Sequence, residues 1–146
     1  MIPFDQLNSD NHQISELSKV LSVLIEDREI CDTQIVCDLF ERYTEKVMNH
    51  MDTEDKVLYS KMLSHPDRNV NATASRFLEG SKEIKRIFRQ YTQKWCAHGL
   101  HIYNHDLFLK ETREMFQLVQ DRILKVSEEL YPMARRIEAE ALSASA

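Results

Sequence analysis

His50 and Glu54 stand four residues apart in His50-Met51-Asp52-Thr53-Glu54-Asp55. In a helix that spacing puts an imidazole and a carboxylate on one face, one turn apart. Such a pair can ligate a transition metal or take part in a buried polar network. A second group, His98, His101 and His105, follows later in the chain. His101 and His105 would share a face if the segment were helical, and such a pair can bind zinc or nickel. Gly99 and Asn104 lie within it, so a loop is expected there instead. Cys31, Cys37 and Cys96 form no CxxC and are odd in number, which speaks against a zinc ribbon or a disulfide framework. Free thiols inside the fold are the simpler reading. Lys82, Lys85, Arg86 and Arg89 make a basic run, read as the solvated face of a helix. There is no Gly-rich phosphate loop and no nucleophile elbow, so no enzyme activity is expected.

The elements that position these residues follow from composition and periodicity. The chain has 146 residues, enough for one domain with a proper core. Only 2 glycines and 3 prolines are available for tight turns, which excludes a sandwich or barrel. Hydrophobic residues make up 42% and charged residues 29%, an ordinary folded balance. The net charge of -5 disfavours nucleic acid as a partner. No apolar run approaches the ~20 residues that cross a bilayer, and the opening MIPFDQLNSDN lacks the pattern of a signal peptide. No membrane partner and a cytoplasmic location are therefore expected.

Four stripes recur at alternating steps of three and four. They are Leu7, Asp10, Ile14, Leu17, Leu21 and Leu24; then Val36, Leu39 or Phe40, Tyr43, Val47, His50, Glu54 and Val57. The third is Phe77, Ser81, Ile84, Phe88, Tyr91 and Trp95, and the fourth Phe108, Thr112, Met115, Val119, Arg122, Val126 and Met133, with Glu129 or Leu130 between. Each keeps one helical face toward a common core. The polar stretch Glu26 to Asp32, Ser64-His65-Pro66-Asp67 and His98-Gly99 supply the breaks. This predicts an all-α fold, an antiparallel up-down four-helix bundle over residues 1–138, with helices near 9–28, 32–64, 70–97 and 107–138. The tail 139–146 has no stripe and is expected to fray.

Asp10, His50, Ser81 and Arg122 are polar at stripe positions where a plain bundle places leucine. With the first link centred near residue 30, Asp10 and His50 are each about 20 residues away and so level with one another. Ser81 and Arg122 are about equally far from a connection near residue 102. Glu54 lies one turn from His50, and the five residues form a polar layer through the core. The second and fourth helices also echo each other. His50 and Glu54 lead to Leu58-Tyr59, and at the same offsets Arg122 and Val126 lead to Leu130-Tyr131.

On these residues the chain resembles the hemerythrin-like (HHE cation-binding) domain family, from about Leu7 to Pro132. His50-x-x-x-Glu54-Asp55-x-x-Leu58-Tyr59 is similar to the family's second-helix motif, in which the histidine binds iron and the glutamate bridges two irons. Leu130-Tyr131-Pro132 resembles the close of the fourth-helix motif, Phe77-Leu78-Glu79-Gly80-Ser81 the third-helix segment, and Asp10-Asn11-His12 the Asp-His of the first helix. The departures fall on ligands. Ser81 and Arg122 replace histidines, and Val126 replaces the second bridging carboxylate. Reading back from Ile14 puts Asn11 in the first-helix histidine's place, with His12 one residue off.

Two readings follow. In one, His12, His50 and Glu54 are remnants of a ligand set, and the resemblance implies an iron-binding sensor or handler of oxygen or nitric oxide. In the other, the metal site is vestigial, no cofactor is expected, and Arg122 supplies the lost positive charge by pairing with Glu54, with Asp10 near enough to share. The second reading makes the protein a non-catalytic regulatory or adaptor domain, monomer or homodimer, that contacts another protein. Bundles of this shape include bacterial regulators that hold sigma factors, an analogy of fold only.

Overall fold

The structure is a computed structural model that describes residues 1–145. Its helices are α1 (Phe4–Leu24), α2 (Gln34–Glu54), α3 (Ser60–Leu63), α4 (Arg68–Trp95), α5 (His105–Lys125) and α6 (Tyr131–Ser145). The π-helical turn Asp55–Tyr59 joins α2 to α3 without a break, and the turn Val126–Leu130 does the same between α5 and α6. The six helices therefore make four rods, and the expected all-α bundle is what forms. Each rod packs against the next, and the fourth returns to the first. The described residues contain no β-strand, only an isolated bridge between Ala97 and Gly99. No helix among them is long and apolar enough to cross a membrane.

Local chemistry sets the ends. The side chain of Asp67 caps α4 by accepting from the Asn69 amide at 2.8 Å, and Asn104 caps α5 by accepting from Leu107 at 3.1 Å. Gly99, at φ 80°, takes the left-handed conformation that turns the chain after α4. The first rod starts at Phe4 rather than near residue 9, because Pro3 sets its start and Phe4 packs edge-on to Tyr131. It ends at Leu24 rather than near 28, where the amides of Ile30 and Cys31 turn back onto the Asp27 carbonyl. The last rod does not stop near 138. Residues 139–145 remain helical, since Ile2 packs beside Ala134, Ile137 and Ala141 while its amide donates to Glu138. Residue 146, the end of the expected fraying tail, lies outside the described residues.

The stripes of the third rod bury as expected, and the first rod buries Asn11 where Asp10 was expected inward. In the second and fourth rods the π turns change the phase. Leu58 and Tyr59 point inward in place of Val57, and Leu130, Tyr131 and Ala134 in place of Glu129 and Met133. A π turn adds one residue to a helical circuit, so each stripe beyond it moves one position along.

The apolar core comes in two parts. The larger, holding Phe40, Tyr43, Phe88, Trp95 and Phe108, fills the end beneath the loops 25–33 and 96–104. The smaller, holding Leu7, Leu58, Tyr59, Phe77, Leu130 and Tyr131, fills the other. Asn11, His50, Glu54 and Ser81 are buried and lie along their rods between residues of the smaller part and residues of the larger, so a polar layer separates the two.

At the rim of the larger part, Trp95 donates its indole N–H to Glu111 at 2.7 Å, and Lys94 donates to the same carboxylate at 2.6 Å. Burial works against the charge on Glu111, yet these two bonds outweigh it and hold the carboxyl below its usual range. A depressed carboxyl pKa stabilises the fold above the unfolded value and loses that contribution as pH falls through the folded one. Glu111→Gln is therefore expected to cost stability at pH 7 and to differ little from the parent once the pH is well below about 4. Urea unfolding at both pH values checks this, and an equal deficit at the two would refute it.

Candidate functional site

All four rods contribute to the polar layer, and the π turns present its tyrosines. His50 is 4% exposed, with Asp10 Oδ2 3.7 Å from Nδ1 and Glu54 Oε1 3.5 Å from Nε2. The ring thus lies between two carboxylates, and neither of its nitrogens has a hydrogen-bond partner among the described residues. Glu54 Oε2 accepts from the Tyr131 hydroxyl at 2.7 Å, and Asn11 Nδ2 donates to the same hydroxyl at 3.2 Å. Burial raises the Tyr131 phenol far above its usual range, and the charge of Glu54 raises it further. It therefore stays a neutral donor to the carboxylate. Asp10 keeps one oxygen at the layer and uses the other to accept from Gln6 at 2.8 Å.

Arg122 is in the layer but does not bind Glu54. Its Nη2 donates to the Tyr59 hydroxyl and to the Phe77 carbonyl, both at 2.6 Å, and its guanidinium lies over the Phe77 ring, 5.2 Å from the centroid. Gly80 makes this possible. A Cβ at that position would lie 2.7 Å from Arg122 Nη1. The expected Arg122–Glu54 ion pair is therefore corrected: among the described residues the two groups form no bridge, and each is held by the other rod's tyrosine. The reason is reach. The guanidinium extends toward the third rod, where the Phe77 carbonyl and ring receive it.

Ser81 is buried but is drawn to a different partner, donating to Asp55 Oδ1 at 3.1 Å. Lys85 bridges Asp55 and Asp52, the latter at 2.7 Å. Burial opposes the Lys85 charge, and its bonds to the two carboxylates still raise its pKa overall. Most of the basic run is thus paired, with Lys82 on Glu79 and Arg86 on Glu83.

The remaining histidines do not join the layer. His12 is exposed, and Asn11 takes the inward position, because the first rod is in phase with Ile14. His101 is exposed in the loop, and His105 begins α5 with Nε2 2.8 Å from the Ile25 carbonyl oxygen. A shared helix face is ruled out, since only His105 is helical. The sequence pointed to Tyr59 and Tyr131 as motif closures, not as ligands of the layer. The echo between the two rods was the signal that they had equivalent roles. Nothing in the pattern marked the Phe77 carbonyl.

Can this layer hold a pair of irons? Such a centre needs several imidazoles and bridging carboxylates converging on open positions. Here one imidazole has its carboxylates on opposite nitrogens, so the three do not aim at a common point. A guanidinium, Ser81 and Val126 occupy the facing positions. Among the described residues no group of three or more His, Cys, Asp or Glu is disposed around a metal position. The donor set does not fit a di-iron pair.

Comparison with curated proteins returns no match, and neither does comparison with solved structures. A family model described as the hemerythrin HHE cation-binding domain matches residues 2–134, and the chain belongs to that family.

Proposed function

We propose that this protein is a non-catalytic regulatory or adaptor member of the family, acting through contacts with another protein, and that its metal site is vestigial. The observation that carries the reading is Arg122. A permanent cation occupies the layer at a ligand position and is satisfied by Tyr59, the Phe77 carbonyl and the Phe77 ring. It repels a metal ion and supplies cross-rod bonding that the fold would otherwise draw from one. Val20, Val23 and Ile35 are exposed around one end of the bundle and offer apolar surface for a protein contact. Three free thiols accord with a cytoplasmic setting.

A second reading has one observation in its favour. Among the described residues both nitrogens of buried His50 lack hydrogen-bond partners beside Asp10 and Glu54, as they would if a bound cation completed the site. This is the iron-binding sensor or handler of oxygen or nitric oxide. Metal analysis separates the two. Protein purified from iron-replete medium is expected to carry well below about one iron per chain, to lack oxo-bridge absorption and to melt at the same temperature with or without chelator. About two irons per chain, or a melting temperature that falls with chelation, would restore the sensor.

A further inference from the structure

Cys37 and Cys96 are both half-buried and line one cavity of about 370 Å³ with Gln34, Phe40, Thr44 and Leu100. Cys37 lies in the first turns of α2, and Cys96 directly follows α4. The cavity therefore joins the start of the second rod to the end of the third. Both cysteines belong to the wall of this one cavity. Burial first, and then Cys37, push the Cys96 thiol up to about 11. Cys31 is different. It is fully buried and donates to the Arg28 carbonyl at 3.2 Å.

We propose that Cys37 and Cys96 form an oxidation site for hydroperoxides, closing to an intramolecular disulfide. The Cys37 thiolate attacks a peroxide oxygen. An S–O bond forms, the O–O bond breaks, and the departing hydroxide leaves as water after taking a proton. The Cys96 thiolate then attacks the sulfenic sulfur. The S–S bond forms, the S–O bond breaks, and a second water leaves. Two thiols are oxidised by two electrons while one hydrogen peroxide is reduced to two waters. Its raised pKa leaves Cys96 little thiolate at neutral pH, so it is not the thiol that meets peroxide first, and the same shortage slows the closing step. Closure would tie the loop 96–104 to the second rod and reduce the freedom of the unfolded chain. The site is independent of the iron question.

The test uses the reduced full chain and hydrogen peroxide. Two of the three thiols should disappear, the mass should fall by two hydrogens, and a non-reducing digest should join the Cys37 and Cys96 peptides, with Cys31 still free. Reductant should reverse all of it. The oxidised form should melt higher, and closure should speed up as pH rises toward about 11. In Cys96→Ser, Cys37 should stop at a sulfenic acid that dimedone traps. Survival of all three thiols, oxygen added to single cysteines without linkage, or cross-linking between chains would each overturn the proposal.

Discussion

Arg122→Leu is expected to destabilise the fold by about 2–4 kcal/mol, because two acceptors lose their only cation at once. The Phe77 carbonyl and the Tyr59 hydroxyl each receive a bond from Nη2, and the ring of Phe77 loses the charge above it. Arg122→Lys should recover little, since an ammonium cannot lie flat on the ring and reach both oxygens. Coupling energies from double-mutant cycles locate the partner. Arg122 with Tyr59→Phe should couple by about 1 kcal/mol, and more strongly than Arg122 with Glu54→Gln. Gly80 gives an independent check. Gly80→Ala should destabilise the parent, where its Cβ would crowd the guanidinium. In the Arg122→Leu background the same change should stabilise by about 1 kcal/mol through helix propensity. A stabilising Gly80→Ala in the parent would mean that the guanidinium does not rest on the Gly80 backbone. Urea unfolding measures each value.

Refitting the layer with ligands should have the largest effect on binding. Asn11→His, Ser81→His, Arg122→His and Val126→Glu together are expected to raise bound iron from a trace to at least about one ion per chain, with absorption in the visible. Arg122→His is the decisive member because it removes the opposing charge. Without it, the other three should gain little. Ser81 now faces Asp55, so Ser81→His also needs the second and third rods to keep their Lys85 bridge. A folded quadruple variant that stays metal-free would show that more than the four ligands has been lost. In that case the π turns, which set the phase of Glu54 against Tyr131, would be the next elements to alter.

The sequence alone determined the bundle, because a stripe of period 3.6 must be buried and few residues were available for turns. It also predicted a polar layer at Asp10, His50, Glu54, Ser81 and Arg122, since constant rise along a helix converts residue counts into heights. The structure buries His50, Glu54 and Ser81, and turns Asn11 inward beside a half-buried Asp10. Only the tertiary structure decided how the layer is bonded. Height says nothing about direction within a layer. Glu54 could have met Arg122 but is met by Tyr131, and Arg122 turns to Tyr59 and to a backbone carbonyl that has no side-chain signature. The two π turns were equally hidden, because a one-residue expansion of the helix leaves no mark in composition and appears only as a shift of Val57 to Leu58 and of Met133 to Ala134. The meeting of Cys37 and Cys96 at one cavity belongs with these. Fifty-nine positions separate them in the chain, and the antiparallel packing of the second and third rods brings them together.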